Sequence, residues 1–205
     1  MKKTFLIIIG ILLSIKVSAQ SAEEFLNSVI EKNKSYEDIS IIFEYRYDNT
    51  ESDIHGRTKG YAYLKGDSYL LKFNGQELIS DGTTLWTYLM DDQEVMISEI
   101  SEENNNSPLA IIESFSKDVK VSFSHISNAD YCCLSIEENE NQNFKTITLI
   151  VNIENLKIDS ITVCTLDGSI LNYKIESFHT NQNLPDSMFI FDEKIHPNVE
   201  VIDMR

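Results

Sequence analysis

Apolar and polar positions keep a helical period near the start of the chain and briefly after Ser107, and elsewhere alternate in twos almost to the end. Ser21-Ala22-Glu23-Glu24 has the spacing of a capping box, in which a Ser oxygen and a Glu carboxylate satisfy each other's orphan backbone N–H groups. Phe25, Leu26, Val29 and Ile30 follow at helical spacing. Together they predict an amphipathic helix over about 22–34 whose apolar stripe must lie on something. From Asp38 to Thr50, Ile41, Phe43, Tyr45 and Tyr47 alternate with Ile42, Glu44, Arg46 and Asp48. An aromatic face backed by a charged one is a half-buried strand. Thr50 to Thr58 reads as a polar loop, Gly60 to Lys65 as a second strand, and Lys65-Gly66-Asp67 as its turn. Tyr69, Leu71 and Phe73 alternate in a third strand, and Asn74-Gly75 turns the chain again.

The densest stretch is LISDGTTLWTYLMDDQEVMI, from Leu78 to Ile97. Asp81-Gly82 predicts a two-residue type I′ turn, because both central positions there need φ > 0. Leu85 to Met90 is then a strand, and Asp91-Asp92 turns it into Glu94 to Ile97. With apolar groups on both faces, this strand needs cover on each side. Connections this short join antiparallel neighbours, since parallel crossovers need a dozen residues or more.

Ser98 to Ser107 is acidic and Asn-rich and is expected as a mobile loop. Ser107-Pro108 supplies a helix cap and first-turn Pro for a short apolar helix carrying Leu109, Ile111, Ile112 and Phe115. Strands return over 119–126, 131–137, 144–153, 157–166 and 169–178, with a solvated loop from Glu137 to Asn143. Turns are expected at Glu154-Asn155 and Asp167-Gly168, the latter a second type I′ candidate. A connector containing Pro185 leads to a last short strand with Phe189 and Phe191, and Val199 and Val201 lie in an extended C-terminus. So many strands in one sheet must curl or close. The expected fold is mainly β with helices: a strongly curved antiparallel sheet forming an incomplete β-barrel of about 11 strands, covered by a helical lid.

The first 19 residues read as a secretory signal peptide. Lys2 and Lys3 precede an apolar run from Phe5 to Ile15, and Val17-Ser18-Ala19 is a small-residue cleavage site. Cleavage is expected after Ala19 or Gln20, leaving 20–205 as a single domain. That run is shorter than the ~20 residues a membrane span needs. The full chain carries a net charge of −16; without residues 1–19 it keeps 14 basic and 33 acidic residues, or −19. So acidic a chain repels nucleic acid and anionic headgroups. Cys132, Cys133 and Cys164 are read as small buried apolar groups, with one cross-strand disulfide to Cys164 as the alternative. His55, His125, His179 and His196 have no ligand spacing, and the paired acids fall at turns. No nucleotide-binding or nucleophile motif is present, so neither a cofactor nor a metal is expected, and binding is favoured over catalysis.

Ile79-Ser80-Asp81-Gly82-Thr83-Thr84-Leu85-Trp86-Thr87-Tyr88, followed by Glu94-Val95, resembles the core motif of the periplasmic outer-membrane lipoprotein carrier family, LolA. Gly60 to Lys65 resembles that family's second strand, Ser107-Pro108-Leu109 its second helix start, and Phe189 to Arg205 its closing segment. Two positions depart from the pattern: Gly66-Asp67 stands where the family has Arg-Pro, the Arg bonding to the lid, and Met90 stands where it has Pro. The resemblance implies an incomplete barrel with a helical lid that shields the acyl chains of lipid-modified proteins between membranes. It also implies an inner-membrane release complex and an outer-membrane receptor as partners. A monomer is expected. The same fold in periplasmic stress sensors gives the alternative of a lipid-sensing regulatory module. Those carry a further domain, which is not expected in this chain.

Candidates for an acyl-chain cavity are Phe43, Tyr45, Tyr47, Tyr69, Leu71, Phe73, Leu85 and Leu89 from strands, and Phe25, Val29, Ile111, Ile112 and Phe115 from helices. For each of them ordinary core packing is the competing role. Asp81, Gly82, Trp86 and Tyr88 are expected to be structural; Trp86 and Tyr88 lie on the strand face opposite Leu85 and Leu89.

Overall fold

The computed structural model describes residues 20–49, 51–100, 119–124, 130–138 and 144–205. Helix α1 (Ala22–Lys34) starts at the predicted capping box: Glu24 N–H donates to Ser21 Oγ at 3.1 Å, and Ser21 N–H donates to the Glu24 carboxylate at 3.0 Å. Its apolar stripe is buried on the sheet.

Twelve strands follow: β1 (Ile39–Asn49), β2 (Ile54–Lys65), β3 (Ser68–Phe73), β4 (Gln76–Ser80), β5 (Thr84–Leu89), β6 (Glu94–Glu99), β7 (Val119–Phe123), β8 (Tyr131–Glu138), β9 (Phe144–Asn152), β10 (Ile158–Thr165), β11 (Ile170–Thr180) and β12 (Glu200–Asp203). They form one sheet in the order β12-β6-β5-β4-β3-β2-β1-β11-β10-β9-β8-β7. Strand β1 is the seam, with β2 on one side and β11 on the other, each in a long antiparallel ladder. The two ends, β12 and β7, do not pair, so the curved sheet is an open barrel.

Three apolar clusters hold it. Phe25, Leu26, Val29 and Ile30 of α1 pack on Val121, Leu134, Ile136, Ile147, Leu149 and Val151 of β7–β9. On the opposite face of β3–β6, Leu70, Ile79, Tyr88 and Val95 are covered by Phe189 and Phe191 of the C-terminal segment. A third cluster joins Ile39, Leu64, Tyr69 and Leu85.

Several local expectations are corrected. β2 begins at Ile54, inside the stretch read as a polar loop, because its partner β1 runs on to Asn49 and the ladder needs only backbone groups. The side chains there are polar because their face is solvated, and Arg57 pairs with Glu44. Asp81-Gly82 is not a type I′ turn. Only Gly82 has positive φ (94°), and Asp81 Oδ1 accepts from the N–H groups of Thr83 and Thr84 at 2.9 and 2.8 Å, capping a wider loop. Asp167-Gly168 likewise has positive φ only at Gly168, whose N–H donates to Thr165 O at 3.2 Å in the four-residue connection between β10 and β11. Asn74-Gly75 is the pair with both φ positive, at 52° and 77°, as a type I′ turn requires. Phe189 lies in a 3-10 turn (Asp186–Phe189) rather than a strand, because Pro185 starts a turn with no ladder beside it. Strand β12 pairs parallel to β6, a long-range contact that local connection lengths do not reveal.

No disulfide joins the cysteines; Cys132 and Cys133 are buried and Cys164 is half-buried. The register explains it: Cys164 faces Thr146, which faces Glu137, four residues along β8 from Cys133. That offset of about 13 Å along a strand exceeds the ~7 Å Cα separation a disulfide tolerates. The loop expected from Ser98 to Ser107 starts later, because Ser98 and Glu99 pair with Leu85 and Thr84 as the end of β6; its part from 101 on, the short helix with Leu109, Ile111, Ile112 and Phe115, and residues 139–143 lie outside the described residues.

Candidate hydrophobic binding cavity

Alternation in β1 places Ile39, Ile41 and Phe43 on one face, and the register carries that face across the seam. Ile41 faces Ala62, which faces Leu71, which faces Leu78. On the other side Phe43 faces Ile175 and Ile41 faces Phe178, with a bulge between them on β11 that keeps both inward. Beyond β11 the same face continues through Ile161 and Val163 of β10 to Ile147 of β9. These residues, together with the C-terminal end of α1, line a half-open cavity of about 720 Å3. Lining from β1–β4 and β9–β11 meets around one space only because the sheet is curled.

The cavity has two unlike ends. At one, Asn33, Lys34, Glu37, Asp38, Gly66 and Asp67 form a polar rim where α1 leads into β1 and β2 turns into β3. At the other, the rings of Phe43, Phe73 and Tyr173 border it. Asp38 anchors the rim. Its buried carboxylate accepts from the N–H groups of Gln182 at 2.7 Å and Leu184 at 3.1 Å, and its carbonyl accepts from Asn181 N–H at 2.9 Å. Burial alone would raise its pKa, but those N–H groups, that of Asn183, and the charge of Lys65 hold it below the usual carboxylate value. Lys65 donates to Leu184 O at 2.8 Å and pairs with Asp186 at 2.5 Å. The segment after β11 is thereby tied to the start of β1 and the end of β2. Lys65 immediately precedes Gly66-Asp67, where the sequence departs from the family pattern.

Of the sequence candidates, Phe43, Leu71 and Phe73 line the cavity. Tyr45 lies one layer beyond, its ring 5.1 Å from that of Tyr173 and 5.8 Å from that of Phe73. Tyr47 is further out, its hydroxyl 3.1 Å from Ser169 Oγ. Tyr69 and Leu85 are buried in the neighbouring cluster; burial pushes the Tyr69 phenol up to about 12, and its hydroxyl has no hydrogen-bond partner among the described residues. Leu89 stands half-buried at the end of β5, away from the lining. Phe25 and Val29 are buried between α1 and the sheet, not at the cavity. Ile111, Ile112 and Phe115 lie outside the described residues. Trp86 and Tyr88 sit on the other face, where Tyr88 packs 5.4 Å from Phe191 and 4.6 Å from His196. The contribution of β9–β11 was missed, although the signal was present in the alternation of Ile161 with Val163 and of Tyr173 with Ile175.

Among the described residues no helix is long and apolar enough to cross a membrane, and no cluster of His, Cys, Asp or Glu could hold a metal ion. An unclosed barrel curled about an apolar hollow, with a helix laid on its inner face, defines the class: incomplete β-barrels with a helical cover. The family model described as outer membrane lipoprotein carrier protein LolA matches residues 72–192, more than half of the chain, and the chain belongs to that family. An outer-membrane lipoprotein carrier protein of Wigglesworthia glossinidia brevipalpis is 27% identical over 162 residues, covering 77% of this chain and 76% of that protein. An uncharacterized conserved protein from Thermus thermophilus shares the fold, with a TM-score of 0.60 at 10% identity over 89% of this chain and 98% of its own. A LolA superfamily protein from Nitrosomonas europaea gives a TM-score of 0.47 at 12% identity over 84% of this chain and 98% of its own.

Proposed function

We propose that the protein is a carrier for lipid-modified proteins, holding their acyl chains in the cavity and ferrying them through the periplasm from the inner to the outer membrane. The observation that carries this reading is a hollow of about 720 Å3, bordered by Ile, Leu, Val and Phe side chains and with its charged neighbours gathered at one rim. It falls in the size range of small-molecule sites. Burial is worth ~0.8 kcal/mol per methylene, so a chain of about sixteen carbons gains about 13 kcal/mol before the costs of association. Against costs in the lower half of the ~4–15 kcal/mol range, a few kcal/mol of net affinity remain, enough to hold the chain during an aqueous crossing and little enough to release it.

The role is binding and release, without catalysis. A release complex at the inner membrane would load the carrier and an acceptor at the outer membrane would unload it. Residues 1–19 would act as the export signal, leaving 20–205 as one domain, and the charge of −19 on that part keeps it off nucleic acid and anionic bilayers. The test is transfer of a fluorescent lipidated peptide from donor to acceptor vesicles across a porous barrier. Protein-dependent transfer is expected. Transfer no faster than from buffer alone, with the protein folded, would overturn the reading.

A further inference from the structure

We propose that the mouth of the cavity carries a subsite for an anionic head group, a carboxylate or a phosphate attached to the hydrocarbon, made by the ammonium groups of Lys32 and Lys157. This rests on the carrier reading above and adds to it the chemistry of the group that stays outside the hollow. Tyr36 and Phe178 both line the cavity, with their rings 6.1 Å apart in edge-on contact. Lys32 Nζ stands 5.1 Å from the centroid of the Tyr36 ring, and Lys157 Nζ stands 5.0 Å from that of Phe178. Two positive charges are thereby held against two rings of the lining. A head group that emerges beside those rings meets both.

Among the described residues neither ammonium pairs with a carboxylate, whereas eight other Lys and Arg side chains do. With 33 acidic residues in the chain against 17 basic ones, a base left on an aromatic face is not explained by a shortage of acids. Such a face holds an ammonium only weakly at a solvated site, so an anion can draw it away. The dipole of α1 accounts for bases in its last turn, Lys32 and Lys34. It does not account for Lys157, which precedes β10 and reaches the mouth through Phe178 of the neighbouring β11. The carboxylates of the rim are placed differently. That of Asp38 is occupied by the N–H groups of Gln182 and Leu184, and Asp67 lies in the β2–β3 turn, on the other side of β1 from β10 and β11. Glu37 adjoins Tyr36 in the chain and is exposed.

The test is displacement of the neutral probe N-phenylnaphthylamine by amphiphiles that share one dodecyl chain length and differ in the head: dodecanoate, dodecyl phosphate, dodecanol and dodecyltrimethylammonium. At ~0.1 M ionic strength, charges beyond ~10 Å are screened, so the distant acidic surface contributes little. Both anions are then expected to bind about five- to tenfold tighter than dodecanol, with the ammonium weakest. Either order of the two anions supports the subsite and tells a carboxylate site from a phosphate site. Lys32→Gln and Lys157→Gln should each cut the preference for anions about two- to fivefold without moving dodecanol, and ~1 M salt should erase most of it. If one variant is not folded in a thermal melt, the other and the salt dependence decide. Anions that bind no tighter than dodecanol, or folded variants that weaken every ligand alike, would overturn the subsite and leave hydrocarbon binding intact. Failure of the probe and of every amphiphile to bind would overturn the carrier reading and the subsite with it.

Discussion

Replacing Gly60 with Ala should reverse the usual sign of a Gly→Ala change in a strand. Gly60 sits within β2 opposite Phe43, and three atoms of the buried Phe43 ring lie 2.2, 2.4 and 2.8 Å from the position a Cβ would take. Without that contact, Ala would stabilise the strand by ~0.5–1 kcal/mol through lost freedom of the unfolded chain. With it, the ring has to withdraw by about 1 Å before ordinary contact distances return, an overpacking that costs ~1–3 kcal/mol. The net expectation is a loss of about 1–2 kcal/mol, or a Tm lower by roughly 2–8 °C for a chain of this size. The ring's open side faces the cavity, so affinity for a fatty probe should fall as well. Gly60→Ala combined with Phe43→Leu should recover most of the stability, a coupling that a double-mutant cycle reads directly. A Gly60→Ala protein as stable as the wild type or more so, melting with unchanged probe affinity, would refute the packing of this layer.

Asp38→Ala should cost about 3 kcal/mol in urea unfolding, because it leaves the N–H groups of Gln182 and Leu184 without their acceptor at a buried site. The Asp38 pKa lies below its ordinary value of 3.8 in the folded state, so its stabilisation is present above pH 3.8 and is lost as pH falls from there through the folded value. Equilibrium unfolding of wild type at stepwise lower pH should show that loss, and Asp38→Ala should show a smaller one. Ser21→Ala removes the capping box of α1 and should lower stability by ~1 kcal/mol, with little change in far-ultraviolet circular dichroism.

Alternation along β1, the capping box and the hairpin succession from β1 to β6 are local features, and the amino-acid sequence alone displays them, whereas the β1–β11 and β12–β6 pairings are long-range. Phe43, Leu71 and Phe73 reach the hollow because each stands on an alternating aromatic or apolar face. Tyr45 and Tyr47 stand on the same face, but the cavity stops short of them, and only the packing of Tyr45 on Tyr173 shows where. Phe25 and Val29 were legible as a buried stripe; that the stripe meets Leu134 and Leu149 instead of the hollow depends on where α1 docks, a tertiary choice. The Ile and Val residues of β9–β11 look like any strand core until the curl of the sheet brings Ile161 and Val163 around to face Leu71 and Leu78. Asp81-Gly82 misled because an Asp side chain that caps the following N–H groups widens the loop, and the dipeptide alone does not reveal that competition.

The most direct measurement is isothermal titration of the protein with a hexadecanoylated peptide and with the same peptide lacking the acyl chain, at several temperatures. One acylated peptide per protein, with a negative heat-capacity change from apolar burial and no heat from the unacylated control, is the predicted result. Equal binding of both peptides, or binding of neither, would contradict the claim that the hollow exists to hold hydrocarbon.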